Sequence, residues 1–158
     1  MEDEQTVQLV TFFLGAEKYG VDIMDVQEIV QMQPIRPIPG SPRFIAGLLN
    51  LRGRVIPIVN LHERFSLSRP AVDEAIRQLS GMVILDVGRM QIGIIIDKVS
   101  RVSTIDRSEI HPPPREVTGI GSDYIDGVVN ESDSYLIILN IRRMFSQAEL
   151  AQLEEVGK

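Results

Sequence analysis

Residues 45–61 read IAGLLNLRGRVIPIVNL, in which two apolar runs flank the triplet Arg52-Gly53-Arg54. Short runs of Leu, Ile and Val on either side of a glycine favour a β-hairpin, because glycine accepts the backbone angles of a tight turn. The predicted strands cover residues 48–51 and 55–59, with Gly53 in the turn. This stretch therefore predicts an antiparallel strand pair within the N-terminal half of the chain.

The same pattern recurs later in the chain, which indicates an internal repeat. Residues 45–50 match residues 125–130, and at the same offset residues 58–61 match 138–141 and Phe65 matches Phe145. An earlier segment, residues 19–26, matches residues 92–99. Several matches at one unchanged offset predict two copies of a mostly antiparallel β unit. Because a unit of roughly 65 residues buries only a marginal core, we expect the two copies to pack together.

Strand patterns outside the hairpin predict a mostly β fold. Strands are expected at 7–14, 19–23, 81–87 and 92–102, and a last hairpin pairs 128–130 with 135–141. The spacing of Ile23, Val26 and Ile29 predicts a short helical turn instead of further strand. About five short strands in each copy, joined by glycine turns, suggest a small barrel.

The repeat also predicts the domain organisation. One domain is expected over residues 7–153, with approximate subdomains at 7–68 and 81–145 and a connector at 69–80. Residues 33–42, which contain four prolines, are expected to run extended, and residues 70–79 to form a short helix. Residues 146–149 match a capping box, and apolar residues follow at helical spacing. A C-terminal helix is therefore predicted over 146–156.

The composition is that of an ordinary folded protein and excludes several classes. The 158 residues are 44% hydrophobic and 24% charged and include no cysteine, which excludes disulfides, thiolate zinc sites and cysteine nucleophiles. No apolar run approaches the roughly 20 residues of a membrane span. The acidic residues 2–4 are unlike a signal peptide, and the net charge of −6 argues against a nucleic-acid partner. The sequence predicts a cytoplasmic protein.

Charge is unevenly distributed along the chain. Residues 1–28 carry seven acids and one base, whereas residues 29–69 carry six arginines and one acid. The pattern is typical of two oppositely charged solvated faces. It is equally typical of a polar protein–protein surface, where the planar guanidinium of arginine binds carboxylates with two hydrogen bonds. The same two interpretations, solvated charges or a protein–protein surface, apply to Arg52 and Arg54 at the hairpin tip.

The residues of this sequence do not combine into a recognisable catalytic site. Asp22, Asp25 and Glu28 form a compact acidic cluster that could serve a hydrolase as general acid or base, but their spacing favours an exposed face with ordinary pKa values. His62 and His111 are the only histidines, and neither has a second metal ligand at a suitable spacing. The sequence predicts that the protein is not an enzyme and has no metal site.

Three motifs resemble the CheW family, the coupling proteins of bacterial chemotaxis, and the resemblance covers about residues 7–153. The first comprises Phe12-x-Leu14 and Tyr19-Gly20-Val21-Asp22-Ile23-x-x-Val26-Gln27-Glu28-Ile29. The central motif is Ile45-x-Gly47-Leu48-x-Asn50-Leu51-Arg52-Gly53-x-Val55-Ile56-Pro57-Ile58-Val59-x-Leu61. The third comprises Gly93-Ile94-x-x-Asp97-x-Val99, Tyr124-Ile125-x-Gly127 and Leu136-Ile137-Ile138-Leu139. One departure is Asn60, where the family often has aspartate.

The resemblance implies two five-stranded SH3-like β-barrels with a hydrophobic groove between them. It implies a non-catalytic scaffold, without a cofactor, that couples methyl-accepting chemoreceptors to the histidine kinase CheA. The helical hairpin tip of the receptor is expected in the groove and the regulatory domain of CheA on one barrel. The protein would be recruited to membrane receptor arrays without inserting into the membrane.

The resemblance also implies which residues bind the receptor. By motif position these are Val26, Glu28, Gly47, Asn50 and Arg52, with Arg52 the foremost candidate for a polar contact. An adaptor of a different chemosensory pathway, one that controls pili or gene expression, fits the same motifs.

Overall fold

Eleven strands account for most of the described chain. A computed structural model describes residues 5–64, 80–88, 90–112, 124–132, 134–145 and 147–156. The strands are β1 (Thr6–Leu14), β2 (Glu17–Asp22), β3 (Val26–Gln31), β4 (Ile45–Leu51), β5 (Arg54–Val59), β6 (Gly81–Asp86), β7 (Gln91–Ile96), β8 (Lys98–Asp106), β9 (Ile110–His111), β10 (Ile125–Asn130) and β11 (Tyr135–Leu139). The described helices are α1 (Leu61–Arg64) and α2 (Gln147–Val156), with 3₁₀ turns at Ile23–Asp25 and Arg107–Glu109.

The strands form two sheets with the same internal plan. The first sheet has the order β8-β1-β2-β11-β10-β9 and the second has the order β3-β6-β7-β5-β4. Each sheet joins two antiparallel hairpins through one parallel pair, β2 with β11 in the first and β7 with β5 in the second. Ile138 lies opposite Gly20 in one parallel pair, and Ile58 lies opposite Gly93 in the other. These are the residues that the predicted repeat aligns, so the mostly β fold with two repeated units is confirmed.

Each half of the chain contributes strands to both sheets. The chain leaves the first sheet after β2 and enters the second as β3, and it returns from β7 to the first sheet as β8. Residues 7–68 and 81–145 therefore do not each form one sheet. The strand predicted over 92–102 was wrong as a single element, because it is divided at Asp97 between two sheets. The predicted helical turn is limited to Ile23–Asp25, since β3 pairs with β6 directly after it.

Side-chain alternation along the strands builds three cores. A large shared core contains residues of both sheets, including Phe12 and Tyr19 from the first and Leu85 and Ile94 from the second. Two smaller cores lie within single sheets; that of the second sheet contains Leu49, Leu51, Ile56, Ile58, Met82, Ile84 and Ile95, and that of the first contains Leu9, Val129, Leu136 and Ile138. Alternate residues of a strand point to opposite faces. Strands such as β6 therefore contribute side chains both to the core of their own sheet and to the shared core.

The predicted C-terminal helix is confirmed as α2, in which Leu153 is fully buried in the shared core. Ser146 of the capping box lies outside the described residues, as do residues 69–79 of the predicted connector and its helix. Arg36, within the proline-rich segment, forms an isolated antiparallel bridge with Leu48 of β4.

Tyr19 gives the shared core a testable pH dependence. Burial, with a smaller contribution from the charge of Glu17, raises the pKa of the Tyr19 hydroxyl from 10.0 to about 12. The unfolded chain ionises this group near pH 10, so the stability it provides is complete below that pH and is lost between about 10 and 12. In that range the unfolding free energy should fall by about 1.4 kcal/mol per pH unit from this group. Urea unfolding measures the unfolding free energy of wild type and Tyr19→Phe across this pH range. This free energy should fall less steeply with pH in the variant, and equal slopes would contradict the expectation.

Candidate functional site

The β4–β5 hairpin ends in a two-residue turn that presents Arg52 to solvent. Arg52 has φ 53° and Gly53 has φ 85°, the positive values that a two-residue hairpin turn with the twist of the strands requires. The Asn50 side-chain oxygen accepts a hydrogen bond from the Gly53 backbone N–H at 3.1 Å. Asn50 therefore stabilises the turn that holds Arg52, which is the turn-closing role that asparagine commonly has.

Arg52 is joined to Glu28 on a different strand of the second sheet. Its Nη2 donates to Oε2 of Glu28, and Nη2 of Arg54 lies 3.8 Å from the same oxygen. The Arg52 side chain is 63% exposed and that of Glu28 27%, so the guanidinium stays accessible to a partner. The structure thus brings Glu28, Asn50 and Arg52 together, although they are far apart in the sequence.

Gly47 has a backbone role. It pairs with Ile58 directly after a bulge of β4, which lies between Ile45 and Gly47, and its φ is 148°. A Cβ atom at this position would overlap the carbonyl oxygen of Arg36 and lie 2.8 Å from its carbonyl carbon. Gly127, its counterpart in the repeat, lies at the equivalent bulge of β10, where a Cβ would press on Ile110 and lie 3.2 Å from the His111 carbonyl oxygen. Both glycines let a neighbouring segment approach the strand closely.

Val26 helps to position Glu28 on β3. It begins β3, is half-buried, and packs against the shared core opposite Leu85 of β6. A register shift lies between Val26 and Glu28. Since this shift replaces strict strand alternation, it helps determine the direction in which Glu28 leaves the strand.

The three clustered acids do not share one exposed face, and that prediction was wrong. Asp22 ends β2 and accepts the Met24 N–H at 2.9 Å, whereas Asp25 lies 3.4 Å from Arg142 and Glu28 binds Arg52. All three are half-buried because the chain crosses between the sheets here. The pKa of Asp25 is raised by burial, partly offset by Arg142 and reinforced by Asp22, Asp86 and Asp126. Each acid thus serves a cap or an ion pair.

The histidines have different environments. His62 is 2% exposed and its Nε2 lies 3.0 Å from Oδ2 of Asp97, while His111 is exposed and pairs with Val128 through the backbone. In the described part of the chain, no three His, Cys, Asp or Glu residues are placed to hold a metal ion. Asn60 accepts the backbone N–H of His62 at 3.0 Å and so caps α1, a role that an amide fills as well as a carboxylate.

Two exposed apolar side chains lie on edge strands, one in each sheet, and sequence patterns did not reveal them. Ile29 on β3 is 42% exposed and Val102 on β8 is 51% exposed, each on the edge strand of its sheet. Beside Asn50, a groove of about 480 Å³ is lined mainly by Pro34, Ile35, Leu48 and Val55. The groove depends on the Arg36–Leu48 bridge, a long-range contact that residue patterns do not encode.

No helix in the described ranges is both long enough and apolar enough to cross a membrane.

Comparisons with known proteins agree with this architecture. Residues 8–149 match the CheW-like domain family. The chain is 48% identical over 153 residues to the chemotaxis protein CheW of Treponema pallidum (strain Nichols), covering 97% of this chain and 89% of that protein. It is 32% identical over 151 residues to CheW of Klebsiella aerogenes, covering 96% and 89%. The crystal structure of the scaffolding protein TtCheW from Thermoanaerobacter tengcongensis has a TM-score of 0.80 and 34% identity, covering 92% and 91%. This chain belongs to the CheW family of chemotaxis coupling adaptors.

Proposed function

We propose that this protein couples methyl-accepting chemoreceptors to the histidine kinase CheA as a non-catalytic scaffold. The receptor's helical hairpin tip binds across the two sheets, and the regulatory domain of CheA binds one barrel. The protein is cytoplasmic and joins membrane receptor arrays through these contacts, with no cofactor. The observation that carries the proposal is the Glu28–Arg52 pair, which holds an exposed cation at a hairpin tip within a family of coupling adaptors.

The exposed groups of the two sheets suit a helical partner. Ile29, next to Glu28 on β3, and Val102 on β8 are exposed apolar side chains on edge strands, and the Arg52 guanidinium is an exposed charged donor. An amphipathic helix binds through such a combination, with its apolar face on a hydrophobic surface and polar residues at the rim. Val26, Gly47 and Asn50 then contribute by holding the strand and the turn in place.

The acidic residues support a scaffold in preference to an enzyme. Asp22, Asp25 and Glu28 are engaged with a backbone N–H, Arg142 and Arg52 respectively. A general acid or base has to reach a substrate proton, and these contacts occupy the carboxylates on separate elements. We therefore expect no turnover to depend on them.

Co-sedimentation tests the proposal directly. Purified protein is mixed with CheA and receptor-containing membranes, each component is omitted in turn, and kinase activity is measured in the pellet. We expect CheA to sediment in an active form only when both this protein and the receptors are present. Binding of CheA without these receptors would assign the adaptor to another chemosensory pathway, and binding of neither partner would refute the coupling role.

A further inference from the structure

The two places where the chain crosses between the sheets each carry an acid paired with a base. Asp97 lies between β7 and β8, and its Oδ2 is 3.0 Å from Nε2 of His62. Asp25 lies between β2 and β3, and its Oδ1 is 3.4 Å from Nη2 of Arg142. In both cases the base comes from the segment that directly follows a parallel strand, α1 after β5 or the turn after β11.

The two bases are related by the internal repeat, and each faces an acid within a crossover. The offset that aligns Asn60 with Asn140 also aligns His62 with Arg142. The two asparagines have equivalent surroundings, since the Asn60 N–H donates to the Phe44 carbonyl and the Asn140 N–H donates to the Tyr124 carbonyl. Each asparagine oxygen also caps the following turn. The fold thus places a base opposite a crossover twice, by the same construction.

The Asp97 pair connects the two sheets physically. The Asp97 N–H donates to the Phe13 carbonyl at 3.0 Å, and Oδ2 accepts the Gly15 N–H at 2.6 Å, which ties the crossover to the β1–β2 hairpin of the first sheet. His62 extends the connection to the end of β5 in the second sheet. Because the His62 ring is 2% exposed, loss of its partner leaves a buried polar group without compensation.

We propose that His62–Asp97 and Arg142–Asp25 are two crossover clamps that fix the orientation of one sheet relative to the other. The four side chains are positioning residues. They affect a partner that spans both sheets indirectly, by fixing how the two sheets are oriented. The His62–Asp97 clamp is the stronger of the two, since it is buried and tied to Phe13 and Gly15, whereas the Arg142 side chain is 62% exposed.

Pulsed electron–electron spin resonance tests the orientation without reference to binding. Because the chain has no cysteine, labels at Val55→Cys in the second sheet and Tyr135→Cys in the first report a single distance. We expect His62→Leu and Asp97→Asn to broaden the distance distribution and to shift its mean by roughly 1–2 Å, the scale of a repacked interface. Arg142→Leu should produce a smaller change of the same kind.

The Lys18–Glu131 pair supplies a matched control. Its separation is 3.5 Å, but Lys18 belongs to β2 and Glu131 to the β10–β11 turn, both in the first sheet. Lys18→Gln should therefore leave the distribution unchanged. An unchanged distribution in Asp97→Asn, or equal broadening in Lys18→Gln, would overturn the proposal. If His62→Leu fails to fold, Asp97→Asn and Arg142→Leu give the same test. If the pairs only stabilise the fold, these variants should lower the melting temperature and leave the label–label distance unchanged, which would also overturn the proposal.

The consequence for binding rests on the proposed function. A partner that contacts both sheets should lose about tenfold in affinity for Asp97→Asn, a typical size for coupling between sites. Binding of the CheA regulatory domain to a single barrel should change much less. If wild type does not bind receptors, the proposed function fails while the spin-label distances still decide whether the clamps exist. If wild type binds and the distances do not change, only the clamp proposal fails.

Discussion

Replacing Gly47 by alanine is expected to lower the free energy of unfolding by roughly 3 kcal/mol, since strained backbone angles and a backbone overlap act together. The Gly47 φ of 148° is one that L-residues rarely adopt. An added Cβ would also overlap the carbonyl oxygen of Arg36. This oxygen cannot move away without breaking the bridge between Arg36 and Leu48. Urea unfolding at neutral pH measures the loss as a lower midpoint at an unchanged slope.

Gly53→Ala is the matched control for this prediction. Gly53 also has a positive φ, 85°, but no atom lies within 4 Å of the position of an added Cβ. Only the conformational cost remains there, about 1 kcal/mol for a left-handed L-residue. Equal losses for Gly47→Ala and Gly53→Ala would contradict the close approach of Arg36. If the losses differ as expected, Gly47 has a backbone role in the hairpin that holds Arg52.

The local part of the fold could be predicted from the sequence because it depends on neighbouring residues. The turn at Arg52-Gly53 follows from a glycine between two apolar runs, and the strand pairs follow from alternation. The repeat was visible because Gly20 and Gly93 face equivalent isoleucines, Ile138 and Ile58, in the two parallel pairs.

The exchange of strands between sheets could not be predicted from residue patterns. Residues 92–102 are continuously compatible with a strand, and the motif that contains Asp97 does not indicate that the strand is divided there. Its role depends on His62 of α1 and on Phe13 and Gly15 of the β1–β2 hairpin, which are distant from it in the sequence. In the same way, the resemblance implied that Glu28 and Arg52 bind the receptor, but only the structure shows that they bind each other.

Arg52→Glu is expected to weaken receptor binding at least tenfold, a loss of about 1.4 kcal/mol, while leaving the fold intact. The variant removes the exposed guanidinium and places a second carboxylate beside Glu28. Stability should change by less than about 1 kcal/mol, because the Arg52 end of the pair is 63% exposed and solvent screens the charge. The positive φ at residue 52 is equally unfavourable for arginine and glutamate, so the substitution isolates the effect of charge.

Two further variants separate a direct receptor contact from an effect through Glu28. Arg54→Glu is the local control, because Arg54 lies 3.8 Å from the same Glu28 oxygen and should cost less affinity. The double variant Arg52→Glu/Glu28→Arg rebuilds the ion pair with its charges exchanged. If Arg52 contacts the receptor, the exchange restores stability and leaves binding weak, whereas recovery of binding would show that only the internal pair matters.

Salt dependence provides the last discrimination. Exposed charge pairs are screened over a distance of about 8 Å at physiological ionic strength and more strongly at higher salt. The affinity difference between wild type and Arg52→Glu should therefore shrink as salt is added in a calorimetric titration with receptor tips. A difference that persists at high salt would assign the loss to apolar packing instead of charge. An affinity unchanged by Arg52→Glu at any salt concentration would exclude Arg52 from the receptor site.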